Sequence, residues 1–278
     1  MHSETVGDTH KIRFESVSEL AAKVKDNRDL LDRNRPDFTG VESHNEAFRL
    51  AREGWTDELA RTMSVAEEAV TKVERDYELP SFVASYEVAG CEVDVARYLD
   101  GTPENMIDYP LTPIVKAGKV ITLCASVSYS GAVDEETIRK RGQAIAALAL
   151  ALSQLGYSTE IYSEVCASGN YAGEGKKYVS VRTLVKGAQD ALDAERIAYA
   201  VAHPSMLRVL NFAALRMAPQ EFVDAIGYSS LGTPRNPVED LPEGTLYTPC
   251  VRSSTDIPDA DAQLVRWLTD LGIIHPDE

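Results

Sequence analysis

The chain has 278 residues, enough for one large domain or two modest ones. Hydrophobic residues make up 44% and charged residues 26%, an ordinary globular composition that excludes wholesale disorder and fibrous repeats. A net charge of −16 leaves no basic surface to release counterions from a nucleic-acid backbone or to dock on an anionic membrane, so neither is expected as a partner.

The first part, residues 1–78, is expected to be a helical N-terminal extension. From Ser16 to Asn34, the residues Val17, Leu20, Ala21, Val24, Leu30 and Leu31 recur at three- and four-residue spacing, which predicts an amphipathic helix. Pro36 and Gly40 interrupt the pattern. Ser43 then caps a short helix through Ala47, Leu50 and Ala51 that Gly54 ends. Between Asp57 and Glu78, Leu59, Met63, Val70 and Val73 predict one or two further helices, and Pro80 closes the section.

Residues 79–278 are expected to form an α/β domain. The segment FVASYEV alternates with period two, so a strand is predicted over Phe82–Val88. A turn-rich connection follows, with a short helix at Val93–Leu99. Val120–Val127 is an apolar run of strand length, predicting a strand buried on both faces. Asp134 caps a long helix with Glu135 and Glu136 in its first turn, and Ile138, Ile145, Leu148, Leu152 and Leu155 mark its apolar face up to Gly156. Thr159–Val165 and Tyr178–Val185 read as two more strands around the glycine-rich ASGNYAGEGKK. Asp193 caps a helix through Ile197 and Val201, Pro204 opens another through Leu215, and a short one spans Pro219–Ile226. A strand at Thr245–Val251 and a helix over Asp261–Leu271 complete an open, mainly parallel sheet flanked by helices.

Charge is uneven along this layout: residues 1–118 sum to −10, residues 119–186 to +2 and residues 187–278 to −8. A nearly neutral centre between acidic arms is how a buried sheet with solvated surroundings reads. Cys91, Cys124, Cys166 and Cys250 lack zinc spacing, so buried thiols in a reducing compartment are expected. No run reaches the roughly 18 apolar residues of a membrane span, and the polar opening MHSETVGDTHK has no apolar core for a secretory signal. The expected location is a cytoplasm, or a particle packaged from one.

The most suggestive motif is the ladder Ser126, Ser128 and Ser130, where a buried strand ends before a long helix. Open α/β sheets bind ligands at that carboxyl edge. The order of strand, Ser-x-Ser-x-Ser loop, long helix, strand, glycine loop and strand resembles the von Willebrand factor A domain over about residues 118–275. In that family Asp-x-Ser-x-Ser holds a magnesium ion, and the second and third strands pair antiparallel. The resemblance matches the serines to Ser128 and Ser130 and finds Ser126 in the aspartate position. Three neutral hydroxyls do not offset the dehydration of a hard cation. No cofactor is therefore expected, and magnesium on Ser128 and Ser130, with an acid supplied by Asp134 or Asp240, is the alternative.

Other motifs carry less chemistry. Gly169, Gly173 and Gly175 before Lys176 and Lys177 fail the phosphate-loop spacing and precede a strand, so a hairpin is expected, with the two lysines as partner contacts. GYSSLG misses the G-x-S-x-G nucleophile elbow by one residue and follows a helix. His203, before Pro204, reads as a joint between packed helices, and His44 lies in a helix's first turn. Adjacent acids such as Glu135 and Glu136 diverge by about 100° on a helix and form no dyad.

The strings EAFRLAREGW, VDVARYLDGTPENM, RGQAIAALALALSQLGY and LDAERIAYAVAHPSMLRVLNFA resemble a group of proteins encoded by tailed phages of actinobacteria and by their hosts. This covers most of the chain and implies no activity. The expectation is a non-catalytic interaction or assembly protein, phage-associated, whose edge residues Ser126, Ser128, Ser130, Asp134, Lys176 and Lys177 meet another protein. The alternatives are a metal-dependent binding module or enzyme at the serine edge, and a structural component of a virion.

Overall fold

The computed structural model describes residues 1–56, 64, 67, 68, 70–72, 75, 85–89, 92–108, 120–131, 133–173, 175–236, 241, 244–253 and 260–274. The chain opens with two strands, β1 (His2–Val6) and β2 (Thr9–Phe14), paired antiparallel across a turn in which Gly7 has φ +57°. Helix α1 (Val17–Asp26) follows, capped by the Ser16 hydroxyl, which accepts from the Glu19 amide. It stops well before Asn34. Asn27 ends it by donating its side-chain amide to the Lys23 carbonyl, and Arg28–Leu30 forms a 3-10 turn. A short helix α2 (Pro36–Thr39) and helix α3 (His44–Glu53) come next, α3 capped by Ser43 and ended at Gly54 as expected.

The helices predicted over residues 57–78 fall largely outside the described residues, as do residues 82–84 of the predicted strand at 82–88. The remainder of that strand is β3 (Ser85–Glu87), which joins β4 (Glu92–Val93) and β5 (Met106–Asp108) in a small antiparallel sheet beside helix α4 (Val95–Leu99).

The middle of the chain follows its expected order. Strand β6 (Val120–Ser126) leads to helix α5 (Glu135–Gln154), then β7 (Ser158–Gly169) and β8 (Lys177–Lys186). Helix α6 (Ala194–Ala202) follows its Asp193 cap. The helix expected from Pro204 is a π-helical stretch, Met206–Asn211, running into α7 (Phe212–Leu215). Helix α8 (Gln220–Ile226), the short strands β9 (Thr233–Pro234) and β10 (Leu246–Thr248), and helix α9 (Ala260–Asp270) complete it.

The main sheet has the order β1-β2-β8-β7-β6-β10, with β9 on β7. β6 is parallel to β7 and β10, and β2 is parallel to β8, whereas β7 pairs antiparallel with β8 and β9. The class is therefore α/β, a mixed sheet flanked by helices. The N-terminal part differs from the helical extension expected of it. Residues 2–14 are strands of the main sheet, and α1 and α3 share one core with α5, α6 and the sheet.

Side chains alternate between the two faces along each strand, with one register shift between β7 and β8 at Ile161 and Tyr162, and that alternation decides where the sites lie. Ile12, Val181 and Val165 stand in cross-strand register and belong to the core that the helices cover. One residue along, Arg13, Arg182, Glu164 and Ser126 stand in register across four strands and project to the other face. The predicted burial of β6 on both faces holds, since Leu123, Cys124, Ala125 and Ser126 are all buried.

Helix α5 crosses α6 at Gly142. A Cβ there would lie 2.1 Å from the Ala202 Cβ and 2.5 Å from its Cα, so only glycine permits the approach. Gly142→Ala is expected to cost about 1–3 kcal/mol by overpacking, even though alanine is the better helix former. Urea denaturation of the two proteins checks this. An unchanged midpoint would mean that the helices separate without loss.

Candidate binding cleft at the carboxyl edge of the sheet

At the end of β6 the serine ladder acts first as stitching. Ser126 Oγ accepts from the Ser128 amide at 3.3 Å, and Ser128 Oγ accepts from the Cys166 amide at 2.9 Å, tying the end of β6 to β7. The Ser130 amide donates to the Val251 carbonyl, and the Val251 amide donates to the Ser128 carbonyl, which fastens the segment after β10 to the same edge. Asp134 is occupied as the α5 cap. Its carboxyl accepts from the Thr137 amide at 2.7 Å, a bond that holds it below the usual carboxylate range. Among the described residues no three His, Cys, Asp or Glu side chains converge as a metal-binding group, and Asp240 lies outside the described residues.

Lys176 and Lys177 sit apart from the serines. Lys177 pairs with Glu221 and lies 4.6 Å from the centre of the Phe222 ring, while Lys176 lies 5.5 Å from the centre of the Tyr178 ring. Lys177 therefore packs on α8 and Lys176 on the hairpin itself.

Beside Ser128 opens a cleft of about 260 Å³. It is lined by the apolar side chains of Leu207, Phe212, Leu215 and Leu231 together with Ser128, Tyr129, Asp32, Arg35, Ser229 and Ser230. The N-terminal wall is held from behind by two buried guanidiniums. Arg208 donates to the carbonyls of Phe38 and Val133, both at 2.8 Å, and Arg216 donates to the Leu30 carbonyl and to Asp32 Oδ2 at 2.7 Å. Phe38 is clasped between Arg35 and Arg208, whose guanidinium carbons stand 4.7 and 4.2 Å from its ring centre.

The opposite wall is the GYSSLG turn. Leu231 there has φ +51°, a left-handed conformation that costs a branched side chain energy, between Gly227 at +77° and Gly232 at +68°. Gly232 passes so close to β7 that a Cβ would lie 2.5 Å from the Ser168 carbonyl oxygen. The turn is thus pinned in a strained form against the sheet edge.

Sequence reasoning found Ser128 at this cleft and missed Asp32, Arg35, Phe38 and the Ser229–Leu231 wall. The signal for the last was present: a turn of small residues bracketed by glycines, set aside because it fails as a nucleophile elbow. His203 is the joint it was expected to be. It ends α6, its Nδ1 accepts from the Ser205 amide at 3.1 Å, and its ring meets Trp55 edge-on at 4.7 Å. Of the cysteines, Cys124 and Cys166 are buried on strands, Cys250 is half-buried, and Cys91 lies outside the described residues.

Fold and cleft together define an α/β protein with a lined recess at the carboxyl edge of its sheet. The chain belongs to the family described as Domain of unknown function (DUF7192), whose model matches residues 3–275. No curated protein and no solved structure matches it. No helix among the described residues is long and apolar enough to cross a membrane.

Proposed function

We propose that this chain is a non-catalytic binding module whose carboxyl-edge cleft receives a side chain from a segment of another protein. The observation that carries this reading is the cleft's make-up. A recess lined by apolar and polar side chains together is the form of an anchor pocket, and about 260 Å³ suits one large side chain rather than a drug-sized ligand. The strained Leu231 beside it is the kind of conformation that binding sites retain. Charge narrows the partner. A chain of net −16 favours a segment with an apolar anchor flanked by lysine or arginine, which the field would also steer toward it. The likeness to phage-encoded proteins adds that the partner is a phage or host protein.

Gly131 gives a clean test. It lines the cleft, and a Cβ built on it meets nothing within 4 Å, so Gly131→Trp adds bulk at the cleft with no clash at its Cβ. Peptides selected from a random display library on the intact protein are expected to share an aromatic or aliphatic anchor with basic flanks. They should bind the Gly131→Trp variant at least tenfold more weakly while its melting temperature stays put. Selected peptides that bind the variant equally well, or a selection that enriches nothing, would sink the reading.

A further inference from the structure

A second cleft, of about 240 Å³, lies on the polar face of the sheet, away from the serine edge. Its lining comes from five successive strands and their ends, and the register sorts the charges. At one end Arg13 and Arg182 are cross-strand neighbours on β2 and β8. Arg182 is fixed from below by Glu164, which is fully buried: Glu164 Oε1 accepts from the Arg182 guanidinium at 3.1 Å and from Ser180 Oγ at 2.9 Å. At the other end Glu160 neighbours Thr122 across β7 and β6. Glu160 and Glu164 are four residues apart, about 13 Å at the rise of a strand. Between the two ends stand Tyr162 and Leu184, themselves in register. Burial, and then the charge of Glu160, push the Tyr162 phenol above its ordinary pKa, so it stays a neutral hydrogen-bonding group. In the wall, Thr245 Oγ1 is out of contact with solvent and has no hydrogen-bond partner among the described residues.

We infer that this cleft is a binding site for a small zwitterion of the basic amino-acid class. The ligand carboxylate meets the Arg13 and Arg182 guanidiniums, which suit it through paired N–H donors. The side-chain ammonium or guanidinium reaches Glu160, and its hydrogens find the hydroxyls of Thr122 and Thr245. The aliphatic stem lies over Leu184 and the Tyr162 ring. A lone anion would face Glu160 and Glu15 as well as the arginines, and a lone cation would face the arginines as well as the acids; a molecule with a carboxylate at one end and a cation several bonds away satisfies both ends, and its α-ammonium, two bonds from the carboxylate, meets Glu15. The volume is below the roughly 300–1,000 Å³ of drug-sized sites and agrees with a metabolite.

Titration calorimetry of the full chain with L-arginine and with L-lysine tests the inference, with hexanoate and butylamine as the two half-molecules. Saturable binding of at least one amino acid is expected, with each half-molecule weaker by tenfold or more. Arg13→Gln and Glu160→Gln should each weaken the amino acid at least tenfold. If either variant fails to fold, Thr245→Val decides in its place, with an expected loss of several-fold. The inference is overturned if neither amino acid saturates, if a half-molecule binds as well as the whole, or if the folded variants retain full affinity.

Discussion

Glu164→Ala is expected to cost about 3–5 kcal/mol of folding stability, because it removes one partner of a buried ion pair and leaves the other. Glu164 is 0% exposed at the centre of the sheet, and its carboxylate gathers Ser180 Oγ at 2.9 Å, the Arg182 guanidinium at 3.1 Å and the Cys124 thiol at 3.7 Å. The Arg182 side chain is itself only 13% exposed, so water replaces the lost carboxylate only in part. The same physics predicts recovery. The double variant Glu164→Leu with Arg182→Met removes both charges and returns apolar volume, and it should regain most of the loss. Urea midpoints for the single and double variants measure this. A loss below about 1 kcal/mol in Glu164→Ala, or a double variant no better than the single one, would mean that the pair contributes nothing as an ion pair.

The row that contains Glu164 also marks where sequence reading stops. Helix α5 is legible because Asp134, the first-turn acids and the leucine spacing all agree, and β6 is legible because seven residues of strand length are almost all apolar. Strand β2 carries only Ile12 and Phe14 as core residues, alternating with Lys11 and Arg13, and β1 is exposed throughout. A hairpin so polar offers little beyond its Gly7–Asp8 turn, and its place beside β8 is a long-range pairing that no local pattern encodes.

The site divides in the same way. Ser128 was found because a strand end before a helix cap is a local signal with a general meaning. The facing wall depends on Arg208 and Arg216, which reach carbonyls 170 and 186 positions away in the chain. Glu164 looks like any strand glutamate until Ser180 and Arg182 are folded against it.

His203 should make the protein acid-labile. Burial lowers its pKa from 6.5 to about 4, with the nearby Arg139 charge acting in the same direction. The unfolded chain takes up the proton as pH falls through 6.5, whereas the folded chain resists until about pH 4, so stability is lost on acidification across that window. A shift of this size corresponds to roughly 3 kcal/mol in full. The geometry explains the resistance. Nδ1 accepts from the Ser205 amide at 3.1 Å and lies 2.9 Å from Ser205 Oγ, and a proton on that nitrogen would face the amide hydrogen. His10 and His44 are also lowered by burial and shift stability in the same sense, so the wild-type curve alone does not isolate His203. The difference from His203→Asn does, since asparagine keeps an acceptor for the Ser205 amide and has no proton to gain. Urea midpoints at pH 7 and pH 4.5 should converge for the two proteins as pH falls, the variant being less stable at pH 7 and losing less on acidification. Parallel losses in both would assign the acid sensitivity to other groups.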